Sequence, residues 1–217
     1  MEKLCIYCGK PAKSVDHIPS KGLFPSLKGY NLITVPACKD CNKGFSLDEQ
    51  YFRDHIVALT TGKSLTADYI FDSVIKKSVR RRPALAIEMF SRMSVVDYYS
   101  PHGVYLGKRT AVQMPEITWE RIFRILTKTT KGLFYYHFKT VIPDNFVIKH
   151  IQIFDDTFKK NDLSGLLSTI TWQIPKYDNV FRYGFAKVPE LVDSVWLSDY
   201  YQNAGFMTFV RDPKNIA

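Results

Sequence analysis

Four cysteines constrain this chain more than any other feature. They fall within the first 41 residues as Cys5-x-x-Cys8 and Cys38-x-x-Cys41, and none follows in the remaining 176. Two such pairs separated by 29 residues match a tetrathiolate zinc site, because borderline-soft Zn²⁺ favours thiolates and four of them close its tetrahedron. No position is then open for water or substrate, so the expected role is structural. Two disulfides are the alternative, and a reducing cytosol disfavours them. A redox Cys-x-x-Cys would need a thioredoxin-like strand-helix setting, which neither motif has.

Between the pairs, Val15-Asp16-His17-Ile18 and Leu32-Ile33-Thr34-Val35 are β-branched or apolar runs bounded by turn residues. They read as the two arms of a hairpin, and the second cysteine pair should lead into a helix carrying Asn42. The expected order is strand, loop, strand, helix, pinned by zinc. The pattern Cys-x-x-Cys, Asp16-His17-Ile18, Asn31-Leu32, Cys-x-x-Cys-Asn42 resembles the zinc-knuckle branch of the HNH nuclease superfamily. Asn42 stands where the third signature residue is usually His, as in the endonuclease VII-like members. The resemblance covers about residues 3–50 and implies a ββα-metal fold that cuts phosphodiesters.

Phosphodiester hydrolysis needs a water deprotonated near neutral pH, a cation over the non-bridging oxygens and neutralisation of the departing alkoxide. His17, with an ordinary pKa of about 6.5, suits the general base. Asp16 and Asn42 offer a carboxylate and an amide oxygen to a divalent ion, and hard oxygen ligands favour Mg²⁺ or Mn²⁺ over Zn²⁺. By resemblance, Asn31 steadies the loop and orients the His17 imidazole. Lys21, Lys39 and Lys43 are placed to meet phosphate, although short lysine-containing loops are often simply solvated.

Charge points to an anionic partner. Residues 63–139 hold fourteen Lys and Arg against six Asp and Glu, which accounts for most of the chain's net charge of +9. Five of those cations fall in seven residues, Lys76 to Arg82, so Arg80, Arg81 and Arg82 are candidates for gripping a nucleic-acid backbone; a solvated helix end is the competing reading. Ser46-Leu47-Asp48-Glu49 has the form of a capping box, which should start a helix running to about Thr60. A second helix is expected from about Thr66 to Arg82 and a short one from Leu85 to Met93. Strands follow at Ser94–Tyr99 and from Val104. Thr118 is placed to cap a helix from Trp119 toward Lys139, with Gly132 weakening its continuity and Arg121, Arg124, Lys128 and Lys131 forming one basic face. Phe146–Phe154, Phe181–Val188, Ser194–Tyr201 and Phe206–Val210 read as strands whose aromatics belong in a core. His55, His102, His137 and His150 have no spacing that implicates them in chemistry.

The expected architecture is α+β: an HNH domain over residues 1–62 and a larger α+β domain over 63–217, with antiparallel strands and a substrate-binding or regulatory role. A composition 46% hydrophobic and 24% charged excludes a disordered or collagen-like chain. Without a signal-like opening or an apolar run near about 20 residues, a cytoplasmic protein with no membrane partner is expected. The expected activity is that of a metal-dependent endonuclease acting on DNA, the choice of DNA resting on family analogy. A catalytically silent zinc-knuckle module that binds nucleic acid or protein is the main rival, and an RNA- or junction-directed nuclease the second. The C-terminal domain leaves room for a homo-oligomer contact or a partner protein.

Overall fold

The computed structural model describes residues 3–81, 87, 91–100, 102–153, 168–173, 177 and 179–215. Arg82 and most of the helix expected over Leu85–Met93 lie outside these residues. The architecture is α+β. Strands β1 (Ser14–Ile18) and β2 (Ile33–Ala37) form an antiparallel hairpin in which Asp16 faces Val35 and His17 faces Thr34. Helix α1 (Lys39–Thr60) follows directly, completing a strand-strand-helix unit.

Helix α1 begins seven residues earlier than the Ser46 start expected from the capping box. Cys38 is its N-cap, the sulfur accepting the Cys41 N–H at 3.3 Å, and Asp40 in the first turn suits the helix dipole. With a cap already supplied by the cysteine pair, Ser46 lies inside the helix and donates its hydroxyl to the Lys43 carbonyl at 2.8 Å. Glu49 is thereby released from a capping role and turns inward.

Helix α2 (Leu65–Ile70), capped by Ser64, passes through a π-helical turn at Phe71–Ile75 into α3 (Lys76–Arg81). Strands β3 (Met93–Tyr99) and β4 (Tyr105–Val112) form a separate hairpin, and Met93 opens β3 instead of closing a helix. Helix α4 (Glu116–Phe138) starts at Pro115, one turn before the expected cap; Thr118 is buried and its hydroxyl pairs with the Tyr51 hydroxyl at 2.7 Å. Strands β5 (Val147–Ile153), β6 (Thr171–Gln173), β7 (Phe181–Lys187), β8 (Ser194–Tyr200) and β9 (Ala204–Arg211) build one antiparallel sheet in the order β5-β9-β8-β7-β6. Among the described residues, no helix is long and apolar enough to cross a membrane.

The hydrophobic core runs across residue 62 without a break. Ile18, Val35, Phe52 and Ile56 from the strand-strand-helix unit share one buried cluster with Ile122, Phe134, Phe181, Trp196, Tyr200 and Phe206. Each such side chain contributes roughly 1.5–3 kcal/mol by leaving water. Most of the sheet aromatics, Phe181, Tyr183, Trp196, Tyr200 and Phe206 among them, are core residues, whereas Trp172 on β6 is exposed; Phe52 of α1 meets Tyr200 edge-on at 5.0 Å.

Helix α4 is uninterrupted at Gly132, and the glycine explains how it lies against β1. A Cβ there would stand 2.5 Å from both Cγ1 and Cδ1 of Ile18. Gly132→Ala gains about 1 kcal/mol of helix propensity, but overpacking at this distance outweighs it. A net loss of about 1–2 kcal/mol is expected from the denaturant midpoint, with a smaller increment when Ile18→Ala removes the opposing atoms. An unchanged midpoint would show that the helix does not rest on β1 at this point.

Candidate metal centre and adjoining polar site

The two cysteine pairs converge. Gly9, at φ 71°, folds the first pair into a tight knuckle: its N–H reaches the Cys5 carbonyl at 2.9 Å and the Cys5 N–H reaches the Lys10 carbonyl at 2.7 Å. The Ile6 N–H ties this knuckle to the end of β2 through the Pro36 carbonyl at 3.1 Å. Cys38 and Cys41 come from the cap and first turn of α1. All four sulfurs lie within 4.8 Å of one another, and Cys8 and Cys38 are 3.7 Å apart. A zinc tetrahedron with about 2.3 Å bonds has sulfur-sulfur edges of about 3.8 Å, so the cluster is consistent with a structural zinc site. The Cys41 N–H helps hold the Cys38 thiol down to about 7, favouring the thiolate that binds metal.

Beside the cage, Asp16 is buried while the His17 side chain faces the other way and is half-buried, as strand alternation requires. The Asn42 amide donates to the Val15 carbonyl at 3.0 Å, which fastens the first turn of α1 to the strand just before Asp16. Among the described residues, its carbonyl oxygen makes no protein hydrogen bond. Burial, reinforced by Lys21 and Lys128, lowers the His17 pKa against the opposing pull of Asp16. The imidazole is therefore neutral at pH 7 and able to accept a proton.

Asp16 already has protein partners. Its Oδ2 accepts the Tyr7 hydroxyl at 2.7 Å, while Oδ1 accepts the His17 N–H at 2.8 Å and the Lys128 ammonium at 3.0 Å. Burial and Asp16 push the Tyr7 pKa above its ordinary value, so the phenol remains a donor. Lys128 also contacts Glu49, whose Oε1 accepts the Ser20 hydroxyl at 2.7 Å. With two donors on Oδ1 and one on Oδ2, Asp16 keeps a single lone pair on Oδ2. That oxygen and the Asn42 carbonyl are hard donors suited to Mg²⁺ or Mn²⁺, and an ion that retains several waters needs few protein ligands. Both oxygens are of the chemical kind such an ion takes, and Lys128 competes for the carboxylate.

Three of the four cations expected to form a basic face on α4 pair with acids of the strand-strand-helix unit. Arg121 and Arg124 both pair with Asp48, Lys128 with Asp16 and Glu49, and Lys131 with Asp144. Asn31 is exposed just before β2 and makes no hydrogen bond to His17 among the described residues. Lys21 lies close enough to act electrostatically on His17. Lys39 and Lys43 are exposed on the first turns of α1. Arg80 and Arg81 are exposed at the end of α3, away from the cage in sequence and without an acidic partner among the described residues. His150 is structural: both ring nitrogens meet threonine hydroxyls, of Thr127 and Thr208, and burial lowers its pKa to about 4.

Tyr7, Glu49 and Lys128 are the polar residues that sequence reasoning missed here. Glu49 carried the signal of a cap, Lys128 that of a surface cation, and Tyr7 sits unmarked between two cysteines. No protein-family model, curated protein or solved structure matches the chain.

Proposed function

We propose that the chain is a metal-dependent phosphodiester hydrolase of HNH type acting on nucleic acid, with DNA as the expected substrate. The observation that supports this reading is a four-cysteine cage that clamps the helix start to a hairpin, with Asp16 and His17 adjacent on β1 and Asn42 fastened by its amide to the Val15 carbonyl next to them. His17 takes the proton of the attacking water as its oxygen bonds to phosphorus. The bond from phosphorus to the leaving sugar oxygen then breaks, and that oxygen recovers a proton from solvent. Asp16 and Asn42 would hold a divalent ion that offsets charge on the phosphate and the leaving oxygen. Lys21, the nearest exposed cation, draws the phosphate toward His17, and Arg80 and Arg81 extend the attraction along the backbone.

One observation favours a second reading, a silent zinc-knuckle binding module: Lys128 already neutralises Asp16. Incubating the purified zinc-loaded protein with supercoiled plasmid separates the two. Nicking that requires Mg²⁺ or Mn²⁺, stops with EDTA and returns with added Mn²⁺ supports hydrolysis. Retention of plasmid without nicking under every metal condition supports the silent module.

A further inference from the structure

Lys128 presents an unusual combination. Its side chain is 1% exposed, yet it belongs to α4, far along the chain from the hairpin whose carboxylate it contacts. The ammonium is shared between Asp16 and Glu49, and the aromatic ring of Phe45 lies 5.6 Å from it. Gly132, one turn further along α4, brings the same helix down onto Ile18 of β1, so the lysine is buried on a closely packed stretch of the helix. Glu49 lies within reach of the same ammonium and is less buried than Asp16, with 24% of its side chain exposed against 5%. The lysine thus holds Asp16 and Glu49 at once, the contact to Glu49 being the shorter, and giving up the first does not strand the charge.

Resting on the hydrolase reading above, we propose that Lys128 is a built-in, displaceable counter-ion that sets the divalent-ion affinity of the Asp16 site. A fixed positive charge at hydrogen-bond distance from a ligand carboxylate repels an incoming cation and occupies lone pairs that the cation needs. An ion of charge two that binds Asp16 drives the ammonium off that carboxylate and leaves it held by Glu49 alone. Weakly held ions do not displace it, so the lysine fixes the ion concentration at which the site fills and keeps Asp16 neutralised below that concentration. Lys128 is a positioning residue in this scheme and touches neither water nor phosphate.

The test is calorimetric titration of Mn²⁺ into the zinc-loaded full-length chain, so that the thiolates are already filled. Lys128→Met, which keeps the stem and removes the charge, is expected to bind Mn²⁺ at least tenfold more tightly than the unmodified chain. It is also expected to melt lower in the absence of Mn²⁺ and to be raised more by Mn²⁺ than the unmodified chain is, because two carboxylates have lost their counter-ion. Glu49→Gln removes the second carboxylate and is expected to shift affinity the other way, severalfold weaker, as the ammonium stays on Asp16. Asp16→Asn should abolish binding in every background. Equal or weaker binding by Lys128→Met, with Asp16→Asn still silent, overturns the counter-ion role and leaves the hydrolase reading standing. Should Lys128→Met fail to fold, unchanged affinity in Glu49→Gln is enough to overturn the role. Absence of Mn²⁺ binding in the unmodified chain and both charge variants overturns the counter-ion role and the metal-dependent reading together.

Discussion

Cys38→Ser is expected to release zinc and lower the melting temperature of the whole chain by more than about 10 °C, the largest stability effect any single surface-proximal substitution should have here. Structural zinc in small thiolate modules supplies on the order of 10 kcal/mol of folding free energy, and losing one of four thiolates forfeits most of it. The serine oxygen can still cap α1, since Ser is among the better N-cap residues, so the loss reports the metal and not the cap. It should spread beyond the knuckle because Ile6, Ile18 and Val35 belong to the same buried cluster as the sheet aromatics. Metal analysis with a thermal melt checks this. A purified chain without zinc and a serine variant that melts at the same temperature would leave the cysteines without a structural metal role.

His17→Ala should reduce cleavage by about 10²- to 10⁴-fold, the usual contribution of a general base, with little change in melting temperature because the imidazole makes no hydrogen bond among the described residues. The acid limb of the rate profile carries a further expectation. Burial, Lys21 and Lys128 all disfavour the imidazolium, so the His17 pKa lies below its ordinary value. The base therefore stays unprotonated through neutrality, and activity should fall only as pH drops below about 6.5. Should the alanine variant cut as fast as the unmodified chain, the activity belongs to another site or a contaminant.

The cysteine cage, the hairpin and the helix carrying Asn42 were legible because each is encoded locally, by spacing, by β-branched runs and by the turns that bound them. The start of α1 was not: Ser46 to Glu49 carries a genuine capping pattern, but a cap eight residues earlier at Cys38 supersedes it, and local preference does not reveal which of two caps a continuous helix uses. Gly132 read as a weak point and is instead a contact surface, since its value depends on Ile18 across the fold. The cations of α4 show the same limit. Their helical spacing gives a shared face correctly but says nothing about what lies opposite, and Asp16, Asp48 and Glu49 lie opposite. Asn31 matches by position in the motif, while the geometry brings it to no bond with His17.

The hydrolytic reading depends on a divalent ion joining Asp16 to Asn42 in the presence of Lys128. Anomalous diffraction from crystals of the zinc-loaded chain grown with Mn²⁺ addresses this without reliance on a chosen substrate. A manganese peak bonded directly to an Asp16 carboxylate oxygen and the Asn42 amide oxygen, with the Lys128 ammonium withdrawn from Asp16 and held by Glu49 alone, is the expected result. Density showing the ammonium still on Asp16 and no manganese between residues 16 and 42 at saturating ion would contradict it.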